Sequence, residues 1–519
     1  MAASMYLYLR KVSRYSLTLV LMADFEQNQF NITVTNMANC KRYAMKIEYI
    51  YSLFVCLAIG FNGLTFADPN EGARAKQRVA EIFSRQYQVQ RLLDIEAALA
   101  RVQADLNIIP DWAAEELTRK AQVSNVPLDQ LKEERARVRH SMVSLLNIWQ
   151  RSIEGGAEEY MHYGATTVDI FNTAMVLQLY DASAVLLDQL RLLENIMIGL
   201  ADEYKATPMI GRTLGQHALP ITFGKKVSSW LGENRRNIER LKAVRTQIAQ
   251  STIMKGAVGS YLGLGDKGME IERGVARELG LKAPIVSDWH PARDVFADYA
   301  LTLALISKSY GRIGNELFLL NMTDIGETEE ILPETAVGSS TMPHKKNPKV
   351  PDKLIHYSRF IPRLAEVILD DVVNSFERDD SSGARVVVEE ITKQAASMLE
   401  DAFYALSNLT VKTSQMKANL EKTRGLIMTQ RLTFALADKI GKTTANTRMH
   451  ELALLALNTN ITLREAIELS PDIAQHFSKK KLDELLDAKT YLGLAVEQVE
   501  AVIAYCLEQQ QAERQLPNL

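Results

Sequence analysis

The chain has 519 residues, 47% of them hydrophobic and 24% charged, a composition outside the disordered and fibrous classes. Lys and Arg number 60 and Asp and Glu 63, so the net charge is −3, and the clustered basic footprint of a nucleic-acid binder is excluded. Cys40, Cys56 and Cys506 form no C-x-x-C pair, which excludes zinc ribbons and disulfide scaffolds.

At roughly 100–200 residues per domain the length predicts about three domains. Residues 1–44 carry no sustained period and no motif. Lys46 then precedes a mostly apolar run from Tyr49 to Phe61, followed by Thr65-Phe66-Ala67 before Asp68-Pro69. The run is shorter than the roughly 20 residues that span a bilayer, so no stable membrane span is expected there. Its order reads as a secretory signal over 45–67 with Met45 as the start, implying an exported or periplasmic protein. The competing reading is a frayed extension or a buried apolar segment, implying a cytoplasmic one.

From about residue 72 the chain is expected to be helical almost throughout. Leu186, Leu190, Leu193, Met197 and Leu200 step by four and three, as do Leu303, Ile306, Tyr310, Ile313, Leu317 and Leu320. That spacing predicts core stripes of helices packed at a shallow angle in a bundle. No stretch shows period-two alternation between turn signals. Glycine and proline cluster at Tyr163-Gly164, Thr207 to Gly215, Gly256 to Gly265, Ala283-Pro284, Pro333 to Pro351, and Gly425.

The polar chemistry sits in these breaks. The richest is Gly338-Ser339-Ser340-Thr341-Met342-Pro343-His344-Lys345-Lys346-Asn347-Pro348. Prolines on both sides exclude a continuous helix, so a loop presents hydroxyl, ammonium and amide together. This loop resembles the signature segment of the fumarase/aspartase superfamily. His162-Tyr163-Gly164-Ala165-Thr166-Thr167-Val168-Asp169 is similar to that family's H-x-G-x-T-[ST]-x-D segment, and Gly211 to Pro220 to its third segment. The resemblance runs from about Ile82 to the carboxy terminus.

What the resemblance implies is elimination of a group beta to a carboxylate, or the reverse addition. The chemistry needs a base on the carbon next to the carboxylate, and donors or cations for the aci-carboxylate dianion. By resemblance Ser339 is the base, its alkoxide stabilised by loop amides and nearby charge. Lys345 and Asn347 hold the carboxylate and its developing charge. Thr166 and Thr167 bind substrate carboxylate, and Asp169 caps a helix start. His140, Gln216, Arg293 and Arg378 are the further substrate-binding candidates. His162 and His217 are the candidates for proton transfer.

Among the branches, several stretches resemble the 3-carboxy-cis,cis-muconate cycloisomerases of the bacterial type: Leu93 to Ala100, Gly256 to Ser260, Trp289 to Asp294, Phe376 to Asp379, Gly425 to Met428 and Tyr491 to Gly493. Adenylosuccinate lyases are the nearest neighbours. Their third segment carries a T-H-x-Q histidine as general acid, and Leu214 stands at that position. A leucine transfers no proton, which favours a cycloisomerase-like enzyme acting on a small polycarboxylate. Adenylosuccinate lyase, and a catalytically silent structural homologue, are the alternatives. His217, three residues on, would share nearly the same face as Leu214 on a helix and so replace it. No histidine pair has metal spacing, and no cofactor is expected.

The same resemblance implies an all-α, three-domain architecture: helical domain 68–181, long-helix bundle 182–424 with its loop at 333–351, and small helical domain 425–519, after the extension 1–67. It also implies a homotetramer in which each active site draws on several chains.

Overall fold

The computed structural model describes residues 18–24, 29–35, 71–286, 289–290, 292–331, 339, 341–342 and 344–515. The signal-like segment 45–67 and the span 332–338 lie outside them. The chain divides into two units, 1–68 and 69–519. In the first, β1 (Thr18–Asp24) pairs antiparallel with β2 (Gln29–Thr35), Thr18 opposite Thr35.

The second unit is helical, as expected. It opens with α1 (Glu71–Ile82), α2 (Arg85–Asp105), α3 (Asp111–Lys120), α4 (Leu128–Val138) and α5 (Ser141–Trp149). The long helices follow: α6 (Thr167–Glu203), α7 (Phe223–Ile248), the short α8 (Gly268–Glu278), then α9 (Asp294–Leu320), α10 (Lys349–Asp370) and α11 (Ala384–Ser407). Helices α6, α7, α9, α10 and α11 pack successively and close back on α6. Leu186, Leu190, Leu193 and Met197 of α6, and Leu303, Ile306, Tyr310, Ile313, Leu317 and Leu320 of α9, are buried in that core. The stripes therefore serve as core. The boundary expected after Asp181 falls in the middle of α6, which runs unbroken to Glu203.

Close approach of α9 and α10 depends on small residues. A Cβ on Gly314 would lie 2.6 Å from Leu354 Cβ and 2.7 Å from the Pro351 carbonyl oxygen. Beyond the bundle come α12 (Thr413–Glu421), α13 (Thr429–Ile440), α14 (Lys442–Thr459), α15 (Leu463–Glu468), α16 (Pro471–Ala474) and α17 (Lys479–Leu486). From Leu432 to Leu485 this region has a core of its own. The last helix, α18 (Ala495–Gln515), packs back on α7 and α6.

Among the described residues, two small antiparallel pairs interrupt the helices. They are β3 (Pro208–Thr213) with β4 (Gln216–Thr222), and β5 (Thr328–Glu330) with β6 (Leu409–Val411). The first corrects the helical placement of His217. Leu214 and Gly215 both have positive φ, 51° and 78°, the two-residue geometry of a tight hairpin. Leu214 is fully exposed at its tip, while His217 sits on β4 opposite Arg212. No helix face joins the two residues.

Chain direction sorts the connections into two ends. α7 finishes where α6 begins, since the Lys255 amide bonds to Asp169. α9 starts there, as the Lys255 ammonium reaches the Ile285 carbonyl at 3.4 Å, and α10 returns there. The opposite end gathers the hairpin, β5, β6 and the signature loop.

Candidate active site

At the first end, Glu96 of α2 is the anchor. Its side chain is 2% exposed, amid the apolar Leu92, Leu93, Ile95 and Leu99. The His162 backbone N–H donates to Glu96 Oε2 at 3.1 Å, and His162 Nδ1 lies 2.7 Å from Oε1. His162 adopts φ 54°, a left-handed conformation unusual for histidine, and the double contact holds it there. Burial works against the imidazolium, but the Glu96 and Asp169 carboxylates outweigh it and raise the His162 pKa.

Four residues on, Thr166 is the cap of α6 and Asp169 completes the helix start. Asp169 accepts backbone N–H groups from Thr166 at 2.9 Å, Lys255 at 2.9 Å and Gly256 at 3.0 Å. One carboxylate thus ties the Thr166 segment to the loop 254–264. That loop is fastened below by Glu272 of α8, which accepts from the Lys255 ammonium at 2.7 Å, the Tyr261 hydroxyl at 2.7 Å and the Met254 N–H at 3.2 Å. The two loops touch through glycines: a Cβ on Gly263 would lie 2.6 Å from the Gly164 oxygen. Thr166 and Thr167 remain half-buried beside this junction. An α6 N-terminus with hydroxyls beside it suits a carboxylate ligand.

Arg293 is buried at the same end, with Nη2 2.7 Å from Asp379 Oδ1 and 3.4 Å from His290 Nδ1. Its guanidinium therefore fastens the segment 371–383. Asp379 also accepts from Ser375 and Ser381, and the Arg293 guanidinium first, then these donors, hold its carboxyl far below the usual range. Arg378 is exposed, 3.5 Å from Asp380. His140 is exposed too, and its Nδ1 accepts the Val143 N–H at 3.3 Å as the cap of α5.

The other end carries the remaining candidates. The Met342 N–H donates to Ser339 Oγ at 3.2 Å, and the Lys345 N–H to the Met342 carbonyl at 3.0 Å, closing a compact turn. Ser339 is half-buried and Lys345 exposed, with Asn347 half-buried before α10. Lys346 pairs with Glu329 of β5 at 2.5 Å, and Lys412 pairs with the same carboxylate. Gln216 is exposed at the hairpin turn. His217 lies near Arg212, whose guanidinium forks onto the fully buried Glu327 at 2.9 and 2.7 Å. Partial burial first, then Arg212 and Lys422, lower the His217 pKa.

His162, Thr166, Thr167, Arg293 and Arg378 thus belong to one end, and Ser339, Lys345, Asn347, Gln216 and His217 to the other. At 1.5 Å per residue, the 37 residues of α6 span about 55 Å and the 27 of α9 about 40 Å. One chain does not bring the two sets together. Sequence reasoning missed Glu96, Glu272 and Glu327. The available signal for Glu96 was a carboxylate inside the apolar stretch Leu92 to Leu99.

The chain matches the family model described as Lyase over residues 73–361, and that described as Adenylosuccinate lyase C-terminus over 425–502. It is 35% identical to an adenylosuccinate lyase of Methanocaldococcus jannaschii over 82% of this chain and 92% of that protein. It is also 35% identical to an N-acetyl-S-(2-succino)cysteine lyase of Dickeya dadantii, over 82% and 93%. Among solved structures, the 3-carboxy-cis,cis-muconate lactonizing enzyme of Pseudomonas putida superposes with a TM-score of 0.76 at 30% identity, covering 82% of this chain and 96% of that one.

Proposed function

The chain belongs to the fumarase/aspartase superfamily of lyases, and on that premise we propose that it removes a proton next to a carboxylate of a small polycarboxylate and expels, or in reverse adds, the group on the neighbouring carbon. The observation that carries this reading is the turn at Ser339. Its Oγ accepts a backbone N–H at 3.2 Å, the contact an alkoxide base requires, and Lys345 stands six residues on in the same loop. Thr166 and Thr167 at the α6 N-terminus take the substrate carboxylate. Lys345 and Asn347 take the charge that develops on it. Because these groups lie at opposite ends of the long helices, each working site is assembled from several copies of the chain, in a homotetramer.

Within the superfamily the cycloisomerase-like activity is the preferred reading. In that reaction the departing group is a carboxylate oxygen, which leaves without a proton, so exposed Leu214 at the hairpin tip is no handicap. Cleavage of adenylosuccinate is the second reading, supported by the matched carboxy-terminal segment and the identity to archaeal adenylosuccinate lyases. Assay of the purified protein on 3-carboxy-cis,cis-muconate and adenylosuccinate, followed by ultraviolet absorbance, separates the two. Ser339→Ala is expected to lower kcat by orders of magnitude with KM nearly unchanged, the pattern of an interaction made only in the transition state. Near-full activity of that variant would remove Ser339 as the base, and absence of turnover on any polycarboxylate would favour a silent homologue.

A further inference from the structure

The hairpin keeps His217 off the face of Leu214, so His217 does not stand in for the acid missing there and the second proton transfer is left unassigned. We infer that Glu96 is a positioning residue that holds His162 to act as the general acid toward the departing group. This rests on the elimination chemistry proposed above. A carboxylate only accepts, so the 2.7 Å contact fixes the proton of Glu96-bound His162 on Nδ1. Among the described residues Nε2 has no hydrogen-bond partner, and the ring is 17% exposed, so it retains an accessible edge. The backbone bond from His162 to the same carboxylate locks the ring's base as well as its tip. The charged groups facing His162 are Glu96 from α2 and Asp169 from α6. In the loop packed on Gly164, Lys255 is engaged with Glu272. His217, by contrast, is partly buried and faces the cations Arg212 and Lys422, which together lower its pKa.

The step balances as follows. Ser339 alkoxide takes the carbon-bound proton, and that C–H electron pair becomes the new double bond. The bond to a departing nitrogen or sulfur breaks with its pair, which takes the Nε2 proton of His162, whereas a departing carboxylate oxygen leaves unprotonated. The proton on Ser339 then returns to His162 through solvent, and both groups are restored.

The test measures His162 by NMR titration of the full-length protein, and kcat/KM against pH on whichever of adenylosuccinate, S-(2-succino)cysteine derivatives or 3-carboxymuconolactone supports turnover. Glu96→Gln is expected to lower the His162 pKa and to move the basic limb of the profile down with it. Glu96→Asp should restore part of both shifts. A merely structural role for Glu96 would depress activity equally at every pH. His162→Gln, at a half-buried position, keeps the test open should Glu96→Gln not fold. It is expected to abolish the limb and to slow substrates with basic leaving groups about tenfold or more beyond those that release a carboxylate. An unmoved limb in both variants, or an unchanged His162 titration in Glu96→Gln, overturns the inference. The NMR result does not depend on turnover, so its failure is distinguishable from failure of Ser339 as the base.

Discussion

Four buried carboxylates do the joining at the two ends of the bundle, and each collects donors from segments distant in sequence. Glu96 takes His162; Asp169 takes Thr166, Lys255 and Gly256; Glu272 takes Met254, Lys255 and Tyr261; Glu327 takes Arg212 and Asn419. Buried charge is tolerable only when it is met by donors, so these residues specify which loops meet. Asp169 has a consequence for pH. Burial pushes its carboxyl up to about 6, against the donors of Thr166, Lys255 and Gly256. A raised carboxyl favours the fold in its protonated form; that contribution is complete below 3.8 and is lost as pH rises through about 6. Asp169→Asn removes this linkage. The gap in Tm between wild type and variant is therefore expected to move in the variant's favour between about pH 4 and 6. Parallel Tm curves would show that Asp169 does not titrate in that window.

At the scale of elements, the helices are set by caps and stripes, but their spacing is set by glycine and by charge. Gly314 lets α9 approach α10 to within a distance where a methyl would meet Leu354 and the Pro351 carbonyl. Gly314→Ala should therefore overpack the seam and cost about 1–3 kcal/mol, read from urea unfolding. A change within experimental error would show that the helices separate freely. The last helix is fastened differently. Arg235 and Glu194 are both 0% exposed and pair with each other, and Glu513 of α18 accepts from Arg235 at 2.6 Å, Arg191 at 3.0 Å and Lys242 at 3.2 Å. Arg235→Met leaves Glu194 buried with only the Gln510 amide and no countercharge, and should cost about 3–5 kcal/mol. Adding Glu194→Met should recover much of that loss. If the double variant is no more stable than the single one, the penalty lies in packing and not in stranded charge.

For the whole molecule, the length of the bundle helices bears on the assembly proposed for catalysis. On the proposed chemistry, the Thr166 set and the Ser339 set lie at opposite ends of helices about 40 to 55 Å long, so a complete site would draw on more than one chain. Leu301 and Leu305, one turn apart on α9, and Phe318 and Leu319 near its end, are exposed apolar residues that such packing would cover. Two inactive variants should then complement. Ser339→Ala mixed with His162→Gln, refolded or co-expressed at equal amounts, should regain about a quarter of wild-type sites, because random assembly pairs an intact Ser339 end with an intact His162 end that often. Activity of the mixture no higher than either variant alone would place both residues in one chain's site.

The local features of this protein were legible in its sequence because they depend on neighbours along the chain. The stripes from Leu186 and Leu303, the helix start at Thr166 and Asp169, and the proline-bounded loop around Ser339 each follow from spacings of a few residues. The hairpin at Leu214 and Gly215 was not legible, because leucine rarely takes positive φ and the pairing of Arg212 with His217 is what holds it there. Nor was the role of Glu96, since its partner lies 66 residues away and only packing of α2 beside the Thr166 loop brings them together. The division of the candidate site between two ends was decided by tertiary structure alone: a sequence places Thr166 and His217 in adjoining segments, and a rigid helix between them holds them apart at 1.5 Å per residue.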